Sequence, residues 1–372
     1  PVPSWPIAGN GTNIRGNDTM KALKYSQAWQ INIHETPALH CQEADDVIVN
    51  IAVCGVCGTD IGIINDNYPV AIAGTTLGHE ASGVVTEIGK NVTKFKVGDR
   101  VVINPTYACQ KCRMCLTGNP NHCEMKMGTE AGVSYDGAFA DQYRAKEAFL
   151  IKLDEHVSME AASLTEPLSC TITGVDKLAI THTNIRAAVI GAGPMGMLYL
   201  WVLHQRGVNA FIVEKNSHRY QFASKNLPPN SKIYHDFESA IEQEYGTSNS
   251  QIDLCIDTTG QITELLISHL APGGKLLNVA LKDKKATLDV LKIADKSLSI
   301  IGSIDSLNNS FERAYAMIRD KQIPAEKLIS HTFSFSDYLS AFRTVGCDIN
   351  NKTMVPLEAP NCKVLLRLSN IN

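Results

Sequence analysis

The sequence predicts an α/β protein with two domains, a mostly antiparallel β domain and a doubly wound domain built on a parallel sheet. Its 372 residues are more than one compact core usually contains. Short apolar alternations broken by Gly, Asp and Asn fill the first part of the chain, which is typical of antiparallel strands joined by tight turns. In the second part, short apolar strands alternate with helical stretches, the pattern of βαβ units.

Composition and charge exclude several classes of protein. With a net charge of -4, the chain has no excess of positive charge that would indicate binding to nucleic acid or to an anionic membrane. No apolar run reaches the ~20 residues that a membrane span needs, and the N-terminus lacks the basic and apolar regions of a secretory signal. We therefore expect a small-molecule substrate, with neither nucleic acid nor membrane as a partner.

The β domain is predicted from segments that alternate apolar and polar residues between Met20 and Ala145. The clearest are 47–53, 81–89 and 98–103, each bounded by turn-forming residues. Residues 1–19, rich in Gly, Asn and Pro, are interpreted as an extension or a remnant of expression and are left out of the fold prediction.

The character of the sequence changes near Ser158, which is predicted to cap the start of a helix. Further on, residues 311–320 are predicted to be helical, and the chain ends in an apolar run at 364–366. The strands predicted for the parallel sheet are 187–190, 210–214, 253–257, 275–279 and 298–302.

A glycine-rich turn lies where the first of these strands runs into a helical stretch. The turn reads Gly191, Ala192, Gly193, Pro194, Met195, Gly196. Gly191 permits the tight turn, Gly193 lets the backbone approach a pyrophosphate, and Gly196 allows close packing of helix on strand. The free N–H groups at the helix start then face the phosphates, so the turn predicts a dinucleotide site.

An acidic residue, Glu214, ends the next predicted strand. In this position a carboxylate accepts hydrogen bonds from the adenine ribose hydroxyls and repels a 2′-phosphate, which favours NAD over NADP. Lys215 and Arg219 follow closely and soften that preference. The alternative is a structural strand–helix turn that binds no nucleotide.

The eleven cysteines indicate metal chemistry rather than disulfides. Cys109, Cys112, Cys115 and Cys123 have the spacing of a closed, structural zinc site, and thiolates of this kind belong in a reducing compartment such as the cytoplasm. Four free thiols or a nucleic-acid-binding zinc ribbon are the alternatives. A buried hydrophobic role is expected of the scattered cysteines, which are Cys41, Cys54, Cys170, Cys255, Cys347 and Cys362.

A second, open zinc site is predicted from residues in three separate segments. Cys57, His79, Glu80 and Glu166 offer a thiolate, an imidazole and one or more carboxylates, donors that can form a zinc site with one coordination position open for substrate. Each residue alone is weak evidence for a metal site, because a lone His or Cys is more often structural and Glu80 could be a buried ion-pair partner. Together with the glycine turn they indicate an enzyme.

From Met20 to near the C-terminus, the chain resembles the medium-chain, zinc-dependent alcohol dehydrogenase superfamily. The motifs that carry this resemblance are Gly78-His79-Glu80-x2-Gly83-x5-Gly89-x2-Val92, Val97-Gly98-Asp99-Arg100-Val101, the four-cysteine segment, Asp136-Gly137-Ala138-Phe139-Ala140 and the glycine turn. Thr165-Glu166-Pro167-Leu168-Ser169 is similar to the polyol and sugar dehydrogenase branch, and Gly302-Ser303-Ile304-Asp305-Ser306 to the glucose dehydrogenase branch.

The resemblance implies a GroES-like catalytic domain and a Rossmann cofactor domain. The implied boundaries are 20–170 for the catalytic domain, with its zinc lobe near 105–125, then 171–307 for the NAD-binding domain and 308–372 for a return to the catalytic domain. It further implies two Zn²⁺ per chain and a homodimer or homotetramer.

The resemblance also assigns roles around the catalytic zinc. Cys57 and His79 are implied to be ligands, Glu80 and Glu166 to be the carboxylates around the metal, and Thr59 to pass on the substrate proton. Many relatives carry a His a few residues after the position of Thr59, and that His completes the proton relay. This chain has Ile61-Gly62-Ile63 in that stretch, so the proton route past Thr59 is left open.

The expected function is therefore NAD-dependent oxidation of a secondary hydroxyl in a polyol or sugar. A secondary-alcohol or threonine-like amino-alcohol dehydrogenase would use the same chemistry with another pocket. An inactive binding protein that keeps the fold is the alternative of a different class. Tyr68 and Phe139 are either pocket-lining or core residues.

Overall fold

We describe a computed structural model of the chain, which covers residues 19–125, 130–246, 251–282, 284–307 and 309–369. Most of the predicted extension, residues 1–18, lies outside the described residues. Two large sheets organise the fold, one mostly antiparallel and one parallel, as the sequence predicts.

The first half of the chain is mainly β-structure. A separate hairpin comes first, with strands β1 (Thr19–Gln27) and β2 (Gln30–Pro37). The strands of the larger sheet are β3 (Asp46–Gly55), β4 (Glu80–Ile88), β5 (Arg100–Ile103), β6 (Gln142–Lys146) and β7 (Leu150–Lys152), joined later in the chain by β14 (Ile329–Ser334) and β17 (Lys363–Arg367).

Strand β3 is the centre of this sheet. It pairs along its length with β4, while β6 pairs with its first part and β17 with its last residues, all antiparallel. Nine of its ten residues are buried, because both faces are covered. Strand β17 thus brings a segment from the end of the chain beside Gly55, at the edge of the predicted zinc site.

The parallel sheet has the strand order β10-β9-β8-β11-β12-β13. Its strands are β8 (Ala187–Ile190), β9 (Ala210–Val213), β10 (Ile233–Tyr234), β11 (Ile252–Asp257), β12 (Leu270–Asn278) and β13 (Ser299–Gly302). The order reverses direction between β8 and β11, and in open sheets of this kind ligands bind at that point, beyond the carboxyl ends of the strands.

Helices connect and flank the two sheets. The helix that begins after Ser158 is capped by the Ser158 hydroxyl, which accepts a hydrogen bond from the backbone N–H of Ala161. The helices are α1 (Gly58–Ile64), α2 (Arg113–Leu116), α3 (Met159–Ser163), α4 (Thr165–Lys177), α5 (Pro194–Gln205), α6 (Ser217–Ser224), α7 (Phe237–Tyr245), α8 (Thr263–His269), α9 (Val290–Asp295), α10 (Ser310–Arg319), α11 (Ala325–Leu328) and α12 (Tyr338–Thr344). A two-stranded ribbon of β15 (Cys347–Asp348) and β16 (Thr353–Met354) follows α12.

Buried apolar clusters lie on each side of the parallel sheet and within the antiparallel sheet. One cluster joins the parallel sheet to the long helices, with Leu168, Tyr199 and Phe311 at its centre. Another fills the antiparallel part and includes Phe139 and Phe342. In the described part of the chain, no helix has both the length and the apolar character needed to cross a membrane.

Candidate active site

The first metal-binding candidate forms where β3 ends and α1 begins. Cys57 is the N-cap of α1, and its Sγ accepts a hydrogen bond from the backbone N–H of Thr59 at 3.5 Å. Asp60 closes a capping box, since its Oδ2 accepts from the backbone N–H of Cys57 at 2.9 Å. The thiol is thereby fixed at the start of the helix, at the edge of the sheet.

Asp60 also joins this helix to the segment that carries His79. Its side chain is fully buried, and its Oδ1 accepts from the backbone N–H of Gly78 at 3.2 Å. Gly78 has φ of +88°, and a Cβ there would lie 2.6 Å from the ring of Phe139. This residue must therefore be glycine for His79 to reach the site.

Glu80, the first residue of β4, is held by a buried cation. Its carboxylate forms an ion pair with Lys363 of β17, whose Nζ also donates to the Val56 carbonyl at 3.2 Å. Glu80 and Lys363 are only 1% and 2% exposed. A Cβ on Gly55 would lie 2.0 Å from the Glu80 carboxylate, so the strand must have glycine where this ion pair sits.

The ligand atoms of Cys57, His79 and Glu80 all lie within 4.8 Å of one another. Sulfur, nitrogen and oxygen donors of this kind suit zinc, and His79 Nδ1 is buried without a hydrogen-bond partner among the described residues. The residues present therefore fit a zinc ion. Glu166 is not part of this compact group, but it lines the same cavity and interacts electrostatically with His79.

Burial and charge set the proton affinities of this site. Burial raises the pKa of Glu166 to about 7, although nearby His79 opposes the change. Burial disfavours a charged imidazole, but Cys57, Asp60 and Glu166 outweigh it and raise the pKa of His79 well above its usual value. The acidic groups around His79 therefore favour positive charge at this site.

The four-cysteine lobe forms the second metal-binding candidate. The sulfur atoms of Cys109, Cys112, Cys115 and Cys123 also lie within 4.8 Å of one another, and all eleven cysteines are free of disulfides. Backbone N–H groups of Cys115 and Glu124 lower the pKa of Cys112 to about 6, which favours the thiolate that binds metal. Four sulfur donors fit a closed zinc shell.

A cavity of about 250 Å³ opens beside the first candidate site. Thr59, Tyr68, Cys170 and Ser303 contribute to its wall, together with the Cys57 and His79 already described. The sequence does not decide whether Tyr68 and Phe139 are pocket-lining or core residues. In the structure Tyr68 lines this cavity and Phe139 belongs to the core.

The expectation that Cys170 is a buried hydrophobe was wrong. It lies one helical turn after Glu166 on α4, and its thiol donates to Glu166 Oε1 at 3.4 Å inside the cavity. The Glu-x3-Cys spacing on a helix was the available signal, since residues four apart share a face. Cys41 is likewise only partly buried, whereas the other four scattered cysteines are buried as expected.

The glycine turn lines a second, larger cleft of about 700 Å³. Gly191 has φ of +92°, and a Cβ on Gly196 would lie 1.7 Å from the Gly191 carbonyl oxygen. Helix α5 starts at Pro194 with Gly193 as N-cap and no side-chain cap. The N–H groups of its first turn are therefore available to a phosphate in the cleft.

Glu214 lies beside this turn and is 6% exposed. One carboxylate oxygen accepts from the backbone N–H of Ala192 and the other from that of Asn216, both at 2.8 Å. These bonds fix the carboxylate at the end of β9, facing the cleft, and each oxygen keeps a free lone pair for a ligand hydroxyl. Lys215 follows it and is exposed at the cleft wall.

Positive charge also gathers in the cleft. Arg219 of α6 lies over the glycine turn, with its guanidinium carbon 4.0 Å from where a Cβ on Gly193 would be. Its Nε is buried and has no hydrogen-bond partner among the described residues. Lys282, which the sequence did not single out, faces it, and burial together with Arg219 and Lys284 lowers the pKa of Lys282. These cations suit an anionic ligand such as a pyrophosphate.

The cavity and the cleft are neighbours. Cys57, Met195 and Lys282 line both of them, so a ligand in the cleft would lie against the candidate zinc site. Beyond the parallel strands, Thr258 also lies on both walls at the point where the strand order reverses. The arrangement brings a metal site, an enclosed cavity and a nucleotide cleft together.

Comparison with known proteins agrees with this architecture. The sequence matches the family described as Alcohol dehydrogenase GroES-like domain over residues 43–155, and that described as Glucose dehydrogenase C-terminus over residues 159–357. It is 30% identical to D-xylulose reductase A of Aspergillus oryzae over 340 residues, 88% of this chain and 93% of that protein.

Two further similarities extend along most of the chain. Sorbitol dehydrogenase of Halalkalibacterium halodurans is 29% identical over 343 residues, 88% of this chain and 96% of that protein. The crystal structure of 2R,3R-butanediol dehydrogenase from Bacillus subtilis has the same fold, with a TM-score of 0.78, 24% identity and coverage of 94% and 100% of the two chains. The chain is an oxidoreductase that belongs to the medium-chain, zinc-dependent alcohol dehydrogenase superfamily, in its polyol dehydrogenase branch.

Proposed function

We propose that this protein transfers a hydride from a secondary hydroxyl of a polyol or sugar to NAD. The observation that carries the proposal is the shared wall between the metal-site cavity and the glycine-turn cleft, with Cys57 and Met195 on both. A substrate hydroxyl at the donor group would then lie within reach of the nicotinamide end of a cofactor. The similarity to a D-xylulose reductase and a sorbitol dehydrogenase supports a polyhydroxy substrate.

We assign the catalytic zinc to Cys57 and His79, with Glu80 and Glu166 as the carboxylates around it. When bound, zinc supplies Lewis acidity that makes a substrate hydroxyl easier to deprotonate. Thr59 lines the cavity, and its hydroxyl oxygen would accept that proton while its own hydroxyl proton passes to the next acceptor. The following Ile61 and Ile63 offer no titratable group, so the proton leaves by a route other than a histidine at those positions.

We assign the second cleft to the cofactor. The N-terminus of α5 and the Arg219 and Lys282 side chains would bind the pyrophosphate, and Glu214 would accept the adenine ribose hydroxyls. A buried carboxylate at that position disfavours a 2′-phosphate, so we propose NAD rather than NADP. The four-cysteine lobe would hold a structural zinc, its cysteines being Cys109, Cys112, Cys115 and Cys123.

The direct test measures NAD reduction by zinc-loaded protein over a panel of polyols, aldoses, inositols, secondary alcohols and threonine. We expect turnover on a polyol or sugar, with kcat/KM at least about tenfold higher for NAD than for NADP, since one adverse charge contact costs roughly 1.4 kcal/mol or more. Turnover confined to threonine or simple alcohols would contradict a polyol or sugar substrate and indicate an amino-alcohol or secondary-alcohol dehydrogenase. Absence of both NAD binding and turnover would indicate a binding protein that keeps the fold.

We also propose the division of the chain into 20–170 and 308–372 for the catalytic domain and 171–307 for the cofactor domain. The pairing of β17 with β3 supports the return of the last segment to the first domain. Cysteines that must stay reduced to bind zinc support a cytoplasmic location, and disulfides found in the native protein would contradict it.

A homodimer through the parallel sheet is our proposal for the assembly. Strand β13 is the last strand of that sheet, and its Ile300 is 40% exposed. Three other apolar side chains in this part of the chain are also exposed, Leu288 at 41%, Val290 at 75% and Leu291 at 78%. An exposed edge strand with apolar neighbours is a surface that a second copy can cover.

Sedimentation analysis should therefore give twice the chain mass or a multiple of it. We expect Ile300→Lys to shift the protein toward monomer because a buried lysine opposes edge pairing. Ile72→Lys is the matched control, since Ile72 is 51% exposed and lies in the other part of the fold. A wild-type monomer at micromolar concentration would contradict the proposal.

A further inference from the structure

A side chain of the four-cysteine lobe reaches across to the substrate cavity. Asn121 lies in the lobe, two residues before Cys123, and is 3% exposed. Its amide Nδ2 donates a hydrogen bond of 3.1 Å to the carbonyl oxygen of Ile304, a residue 183 positions later in the chain. The lobe is thereby connected to the segment that follows β13.

That segment forms one wall of the cavity. Ser303, Ile304 and Asp305, here called the pocket wall, all line it. Ser303 Oγ is buried and has no hydrogen-bond partner among the described residues, so it is available to a polar ligand. Asp305 has φ of +58°, a left-handed conformation that is uncommon outside glycine, although Asp adopts it more readily than most residues.

Several elements contact this wall, and β12 is one of them, since the backbone N–H of Ser303 donates to the Asn278 carbonyl at 3.3 Å. Helix α4 holds its flanks, because Lys177 Nζ donates to the Gly302 carbonyl at 3.2 Å and Thr173 Oγ1 accepts from the backbone N–H of Leu307 at 2.9 Å. Asn121 holds its centre, at the peptide group between Ile304 and the left-handed Asp305. Loss of that bond would leave the central carbonyl without this donor and allow the left-handed turn to change conformation.

We propose that Asn121 is a positioning residue that holds the pocket wall in the conformation that binds substrate. The inference rests on the proposed function for the identity of the cavity as the substrate site. It gives the four-cysteine lobe a role in the reaction: the lobe orients the buried amide that shapes the pocket. Asn121 itself does not line the cavity and touches no reacting atom.

The test compares Asn121→Ala and Asn121→Asp with wild type. The alanine removes the bond and some packing, whereas the aspartate keeps the side-chain volume but replaces the amide donor with a charge, so an effect common to both variants reports loss of the bond. With the best substrate of the polyol and sugar panel, we expect KM to rise about tenfold in both variants, with a smaller change in kcat. Zinc content and NAD affinity should stay at the wild-type values.

Asn119→Ala is the matched control. Asn119 belongs to the same lobe, but its Nδ2 donates to the Thr117 carbonyl within the lobe at 3.2 Å. The Asn119→Ala substitution should leave KM unchanged. If Asn121→Ala and Asn121→Asp keep the wild-type KM, or if KM rises only together with loss of zinc from the lobe, the positioning role is wrong.

Hydrogen exchange provides a readout that needs no substrate. In a peptide covering residues 303–307, both Asn121 variants should exchange faster than wild type, while the Asn119 variant should not. Unchanged exchange in this peptide would overturn the inference even if the enzyme is active. Faster exchange in a protein that turns over no substrate would support the positioning of the wall and count against the proposed function alone.

Discussion

We expect the Cys57→Ala protein to bind one zinc ion per chain, where wild type has two candidate sites, and to lose more than about 100-fold in kcat/KM. The estimate is a lower bound, because even residues that merely support a metal ligand cost roughly 10- to 100-fold when removed. Cys57 supplies the sulfur of the donor group with His79 and Glu80, and no other cysteine belongs to that group. Zinc content by atomic spectroscopy and steady-state kinetics provide the two measurements.

Cys54→Ala is the matched control for this variant. Cys54 lies three residues earlier, on β3, and its side chain is fully buried in the core of the antiparallel sheet. Its removal should cost some stability and leave both zinc ions in place. A Cys57→Ala protein that keeps full zinc content and turnover would show that the catalytic metal lies elsewhere, whereas loss of both zinc ions would point to general unfolding.

The fold was predictable from sequence because its signals are local. The strands at 187–190, 210–214 and 253–257 alternate with helices, and the structure has them within one residue of the prediction. Strand β12 is the exception, since it begins at Leu270 rather than at 275. Pro272 and Gly273 are turn-forming residue types, yet the strand continues through them with an irregularity in its pairing with β11, and Gly273 has φ of +76°.

The candidate metal ligands could be predicted because their sequence signals are also local, whereas the distant residues that hold the site in place could not. His79 and Glu80 stand in a dense motif, and Cys57 stands in the short segment Gly55-Val56-Cys57-Gly58-Thr59-Asp60. Lys363 carries no such signal, because its role depends on β17 pairing with β3 far away in the chain. The contact between Asn121 and Ile304 is likewise a product of the tertiary fold. Sequence patterns record local geometry and leave long-range pairing open.

Lys363→Met should be the most destabilising substitution near the site, by about 3–5 kcal/mol, because it leaves the buried Glu80 carboxylate without its cation. Burial disfavours a charged amine, but Glu80, Cys57 and Glu166 outweigh it and raise the pKa of Lys363. Both partners of the ion pair are almost completely buried, so water cannot replace the lost charge. In calorimetry of the zinc-loaded protein we expect the transition to fall by about 5 °C.

The Glu80→Gln/Lys363→Met double variant separates charge from packing. Removing both charges together should recover most of the lost stability, since a neutral buried pair is often no worse than the ion pair it replaces. Arg319→Met is the control for a surface ion pair, as Arg319 and Asp320 are 40% and 44% exposed in their 2.8 Å contact, and the substitution should cost at most about 1 kcal/mol. If Lys363→Met costs no more than Arg319→Met, a group other than Lys363 compensates the Glu80 carboxylate, and the zinc site is the nearest source of positive charge.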